Sequence, residues 1–231
     1  VTSVRQALAH SIDKLELVRQ IYGAMHTPVT GGLIHMTFPE HQPSIGIRYD
    51  PDRAAALLDD RMREAVVREP LRVVADDRLA PVAAFIQESW ERVLRVPATV
   101  ELVPLERLIE ISLHEPVELI LARMSLARTV ELCLSGALYA GDKPVPTIPL
   151  AGREELSWAL APDDPRVRER RVQELELRLT PEARRIPLFY TNPYLLVSDR
   201  IDHSGLNPSR FGQLDDVVIR DADGLSPGAA H

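Results

Sequence analysis

The sequence is poor in the residues from which most catalytic and metal centres are built. It contains one cysteine, Cys133, so it can form no internal disulfide, zinc ribbon or dithiol redox pair. The apolar neighbours Val130, Leu132 and Leu134 predict a buried, unreactive thiol. Aromatic residues make up 5% of the chain. No apolar run approaches the roughly 20 residues that span a bilayer, and nothing resembles a signal peptide. Gly-x-Gly-x-x-Gly, Walker, Gly-x-Ser-x-Gly and His-Glu-x-x-His patterns are all missing. There is also no excess of positive charge: the net charge is −7 and the pI about 5.5. Nucleic-acid faces are usually basic. The densest basic cluster, Arg166, Arg168, Arg170 and Arg171, is interleaved with Glu169, Glu174 and Glu176, which predicts a solvated, salt-bridged helix face.

What remains is weak as chemistry. The acidic pairs Asp59/Asp60, Asp76/Asp77, Asp163/Asp164 and Asp215/Asp216 fall at caps, turns or element ends, where carboxylates are solvated. His203 and Ser204 are sequence neighbours and do not face each other as a nucleophile and base must. His26, His35 and His41 are spaced nine and six apart, which matches no metal-ligand pattern. The residues predict no enzyme, no metal and no cofactor.

The organising stretch is 71–105. Leu71–Ala75 reads as a strand rich in β-branched residues. Val82, Phe85, Ile86, Trp90, Val93 and Leu94 then share one helical face, and Thr99–Val103 alternates as a half-buried strand does. Strand, helix and strand in this space form one βαβ crossover, which makes the strands parallel. Upstream, Ser3-x-x-Gln6 has the form of a capping box, and apolar spacing predicts one helix over Val4–Tyr22 closed by Gly23. Residues 24–49 hold Pro28, Gly31, Gly32, Pro39, Pro43 and Gly46 and show no period, predicting a long ordered loop. Asp50-Pro51 caps a helix over Asp52–Asp60 that runs on or resumes through Met62–Val67.

Downstream, a helix is expected over Leu105–Leu113 and a buried strand over Val117–Ala122. Leu126, Val130, Leu134 and Leu138 have helical spacing, and Arg153–Leu160 reads as a short helix. Asp164-Pro165 caps another helix that ends before Pro181. Ile186–Tyr190 and Tyr194–Val197 read as extended segments, and the tail 221–231 as disordered. The chain opens on Val1-Thr2 without an initiator methionine, so more polypeptide is expected before it.

Two stretches carry a resemblance. Val4-Arg-Gln-Ala-Leu-Ala-His-Ser-Ile-Asp-Lys14, followed by Gly23, Pro28 and Tyr49-Asp-Pro-Asp-Arg-Ala-Ala-Ala-Leu-Leu58, resembles the second lobe of the oligopeptide-type (family 5) extracellular solute-binding proteins. The run 166–219, with Ile186-Pro-Leu-Phe-Tyr190, Asn207 and Gly212, is similar to that family's closing segment. Phe85-Ile-Gln87 also fits, whereas Val96-Pro97 replaces the family's usual Gly-Ile. The resemblance implies an α/β fold, a periplasmic-binding-protein-like type II lobe with a mixed sheet flanked by helices and the long loop 24–49. Residues 1–220 would form the second lobe plus the returning segment.

The functional expectations come from the same resemblance. In that family's transport receptors this region carries aromatic residues and an aspartate that anchors a peptide amino group, whereas stretch 123–139 has no Asp and no Trp. The closing pattern looks more like a cytoplasmic branch in which this module follows a DNA-binding winged helix in sugar-phosphate-stress regulators. The main expectation is therefore a cytoplasmic effector-sensing domain, with an upstream lobe and an upstream DNA-binding domain. This segment itself would not contact nucleic acid. The alternative is a lipid-anchored, extracytoplasmic receptor of an ABC importer for peptides or nickel. In either case a small solute (a peptide, sugar phosphate or metal complex) is the partner. Position suggests His35, Phe38 and His41 on the interlobe face, and Arg123, Met124 and Arg128 past a strand end, where open α/β sheets meet ligands. Tyr190 and Asn192 are the hinge candidates.

Overall fold

The computed structural model describes residues 2–23, 26–58, 60–115, 117–123, 129–135, 138–140, 143–145, 150–191, 201–202 and 218–219. The chain divides into two compact units, 1–190 and 191–231. Of the second, a short antiparallel pairing of Ile201–Asp202 with Val218–Ile219 is described.

In the first unit the central crossover forms as expected. Strand β2 (Leu71–Asp76), helix α5 (Ala80–Leu94) and strand β3 (Ala98–Val103) follow one another. The strands pair in parallel, with Val73 opposite Val100 and Asp76 opposite Val103. Strand β4 (Leu119–Leu121) adds on the other side, also in parallel, giving the order β3-β2-β4. As the middle strand, β2 is apolar on both faces. Val73 packs with Val82, Phe85, Ile86 and Trp90 of α5. Its neighbour Val74 points the other way, to Leu108 and Ile111 of α6 (Leu105–His114). Successive strand side chains alternate faces, so two adjacent valines anchor both covering layers.

The α5 side of the sheet continues into α1 (Thr2–His10), α2 (Lys14–Tyr22) and α3 (Pro51–Ala56), whose Ala7, Leu8, Leu17, Val18 and Ala54 join the same core. Helix α4 (Asp60–Arg68) resumes after α3. Trp90 closes this core with a hydrogen bond from its indole N–H to the Leu8 carbonyl, 3.2 Å away. A second core lies among α7 (Val130–Ser135), α8 (Arg153–Leu160) and α9 (Pro165–Leu179). Cys133, Leu134, Ala159, Val172 and Leu175 meet there, with Ile34 inserted from the 29–49 loop. Strand β1 (His26–Pro28) pairs with β7 (Phe189–Thr191), and β5 (Leu138–Ala140) pairs antiparallel with β6 (Lys143–Val145).

Some expectations change. The helix read over 4–22 is two helices, because Asp13 stops one and caps the next: its Oδ1 accepts from the backbone N–H of Leu15 and Glu16 at 3.1 and 3.0 Å. Ser11, fully buried, donates to the Leu8 carbonyl at 2.8 Å and helps break the ladder. Ser3 lies inside α1 instead of capping it. Strand β4 is shorter than read and only half-buried, with Ile120 exposed. Leu138 belongs to a strand, not to the helix that its spacing suggested. Leu126, the segment Tyr194–Val197 and the tail 221–231 lie outside the described residues.

Candidate functional site

The carboxyl ends of the parallel strands present the first cluster of functional groups. Asp76 ends β2 with no exposed surface. Its carboxylate caps the following 3-10 turn by accepting from the Arg78 backbone N–H, and it holds the Arg78 guanidinium in a fork, Nε to Oδ1 at 2.9 Å and Nη2 to Oδ2 at 2.7 Å. The Arg78 side-chain bond leads in depressing the Asp76 carboxyl below its ordinary value. The outcome is a half-exposed cation fixed at the sheet edge. Ala75 stands opposite Leu121, so Arg123, exposed just past β4, emerges at the same edge.

Aromatic rings come to this end of the fold as well. Tyr22, at the end of α2, lies 4.2 Å from the His26 ring and 5.0 Å from Phe189 of β7, centroid to centroid, and His26 stacks on Phe189 at 5.6 Å. Burial raises the Tyr22 phenol, and the nearby Arg123 charge pulls it the other way. Two guanidinium groups at this end of the sheet suit a ligand carrying a carboxylate or another anion. Among the described residues, no group of three His, Cys, Asp or Glu side chains could hold a metal ion.

The second cluster holds the 29–49 loop in place. Glu176 of α9 has no exposed surface. Its Oε1 accepts from the consecutive backbone N–H groups of Leu33 and Ile34 at 2.5 and 2.8 Å. Burial pushes its carboxyl above the ordinary value, against those two hydrogen bonds. Gly32 leaves room for this carboxyl: a Cβ there would stand 2.7 Å from Glu176 Oε1 and 2.8 Å from Thr180 Oγ1 and would force one of them to move. A shallow crevice of about 10 Å³, room for about one water, runs past Lys14, Gly31, Gly32, Thr180, Arg185 and Pro187. Lys14 is nearly buried, which brings its amine down to about 8.

The loop residues expected on a ligand face have internal partners. His41 Nδ1 lies 2.9 Å from the Ile34 carbonyl, and Phe38 packs against the second core. His35 pairs its Nδ1 with Thr37 Oγ1 at 2.9 Å, and its ring meets Tyr190 edge-on at 4.1 Å. Burial, then the neighbouring His41, lowers the His35 imidazole. Tyr190 is pushed up to about 12, chiefly by burial. It lies in β7, and the division between the two units falls immediately after it. Arg123 is placed as described above, while Met124, Arg128 and Asn192 lie outside the described residues.

The sequence reading missed Glu176, which it had grouped with solvated Glu169 and Glu174. The signal was present, because Glu176 follows Val172 by four and precedes Leu179 by three and so shares their inward face. The fork of Asp76 and Arg78 was missed too, because Asp76 was read as a solvated turn carboxylate, whereas it is fully buried and held by a guanidinium two residues on. The aromatic cluster joins α2, β1 and β7, which are distant in sequence, and no local pattern marks it.

No family model and no curated protein matches the sequence. Solved structures do. A peptide-binding protein of a peptide ABC transporter matches with a TM-score of 0.64 at 19% identity, covering 81% of this chain and 90% of its own. A periplasmic oligopeptide-binding protein from Thermotoga maritima, crystallised with mannohexaose, gives 0.64 at 16%, and NikA from Brucella suis, in complex with Fe(III)-EDTA, gives 0.60 at 18%. Each of the latter two is covered over about two-fifths of its length, 41% and 42%. The chain thus has the α/β fold of a periplasmic-binding-protein-like, type II lobe, similar to lobes of peptide-binding components of ABC transporters.

Proposed function

We propose that this chain is a non-catalytic solute-binding lobe, part of the substrate-capturing component of an ABC importer for peptides or metal complexes. The observation that carries the reading is the fold match, which extends over nearly all of one peptide-binding protein. The carboxyl edge of the sheet supports it, with Arg78, Arg123 and the Tyr22, His26 and Phe189 rings set where open α/β sheets take ligands. The importer receptor, the alternative in the sequence reading, fits these neighbours better than the sensor domain of a regulator. On this reading the protein works outside the cytoplasm.

Isothermal titration of the whole protein with di- and tripeptides, Fe(III)-EDTA and sugar phosphates tests this. Binding of a peptide or the metal complex is the expected result. Arg123→Ala should then weaken binding of a peptide by about tenfold, equivalent to about 1.4 kcal/mol. Binding of sugar phosphates alone would overturn the importer reading in favour of the sensor. Fractionation of the producing cell checks the location.

A further inference from the structure

Among the described residues, two oxygens buried at the root of the 29–49 loop find no hydrogen-bond partner: Glu176 Oε2 and Thr180 Oγ1. Both residues are at least nine-tenths buried, and both belong to the same turn at the end of α9. Glu176 Oε1 and Thr180 Oγ1 converge on one point, the place of the missing Gly32 side chain. A carboxylate sealed from water with one oxygen unpartnered costs free energy, and a proton removes its charge.

We propose that Glu176 is a protonation switch for the 31–41 loop. In the closed loop it is the neutral acid: Oε1 accepts from Leu33 and Ile34, and the Oε2 hydroxyl reaches Thr180 Oγ1 through one water. Loss of the proton leaves a charge with no surface exposure, and the loop slackens to let water reach it. The loop carries His35, whose ring rests on Tyr190 beside the division between the two units, so the protonation state reaches the end of the first unit. Titratable groups face Glu176 from each packed element. They are His41 from the loop, Cys133 from α7 and Tyr190 from β7, with Lys14 and Arg185 lining the adjoining crevice. The device does not depend on which solute is bound.

The test compares thermal unfolding of the whole protein, wild type against Glu176→Gln, between about pH 4.5 and pH 8. Glutamine reproduces the neutral acid, with an acceptor for Leu33 and Ile34 and a donor for Thr180. The Gln variant should match the wild type at the acid end. It should melt about 2–4 °C higher near pH 8, the shift expected for a chain of this size from removing about 1 kcal/mol of charge burial. Amide exchange at Leu33 and Ile34, corrected for the intrinsic rate, should accelerate with pH in the wild type alone. The same series in a His41→Gln background separates out the imidazole's titration. Thr180→Val should lower the melting temperature at the acid end more than at the alkaline end. A Gln variant less stable than wild type by a constant margin, or a Thr180→Val effect independent of pH, would show that the ionised carboxylate holds the loop, and the proposal fails.

Discussion

Asp76 and Glu176 are both fully buried carboxyls, yet they respond to pH in opposite directions. Asp76 has a guanidinium fork and a backbone N–H, and its carboxyl is depressed below 3.8. Its contribution to stability is therefore complete above that value and is lost as pH falls through the depressed one. Asp76→Asn should remove this acid-side loss, seen as a flatter melting profile below about pH 4, and should release Arg78 from the sheet edge. Lys14 gives the mirror case for a base. With its amine lowered from 10.5 to about 8, the unfolded chain binds the extra proton between those values, so stability rises across that window. Lys14→Met should raise the melting temperature near neutrality, and the gain should fade as pH approaches 10.5. Glycines can be ranked the same way. A Cβ on Gly46 would meet the Gly31 carbonyl oxygen at 2.2 Å, whereas on Gly152 the nearest atom is a flexible carboxylate oxygen at 3.6 Å. Gly46→Ala should cost about 1–3 kcal/mol by chemical denaturation and Gly152→Ala far less, because backbone cannot yield as a side-chain end can.

At the scale of elements, the caps decide where the chain turns. Asp13, Asp50 and Asp164 each accept backbone N–H groups at a helix start, the latter two followed by proline. Asp13→Ala should cost about 0.5–2 kcal/mol, measured as a lower denaturation midpoint with helix content nearly unchanged. A much larger loss of helix would mean that α1 and α2 depend on the break between them. The Asp50-Pro51 and Asp164-Pro165 starts were legible because cap and proline are adjacent in sequence. The Asp13 cap was overlooked because apolar spacing at Leu8, Ile12 and Leu15 runs straight across it, even though Leu15 is exposed. The parallel crossover was legible for a related reason: strand, helix and strand there are complete within one local stretch. Strand β4 and the pairing of β1 with β7 were harder to read, since three-residue strands carry little period.

For the molecule as a whole, the sheet and the two cores imply an order of protection. Strand β2 is bonded on both edges and covered on both faces, so its amides should exchange only through the largest opening of the first unit. The amides of β3 and β4 each have an edge facing outward among the described residues and should exchange faster. Equal protection across all three strands would mean that the sheet opens only as a block. The candidate site was less legible than the fold because it is assembled from α2, β1, β2, β4 and β7. None of these announces a binding role alone, and only the sheet's topology brings their ends together.

The chain has two tryptophans, and the fold separates them. Trp90 is sealed in the first core with its indole bonded to Leu8. Trp158 lies partly exposed over the second, with the Arg171 and Arg178 guanidinium carbons 5.2 and 5.6 Å from its ring. The protein thus carries two built-in fluorophores of different colour: a blue-shifted one that reddens when the sheet layer opens, and a redder one, beside its two guanidinium groups, that reports on the α8–α9 layer. Emission recorded at two wavelengths during unfolding, with Trp158→Phe as the single-fluorophore reference, would show which layer yields first without any added label.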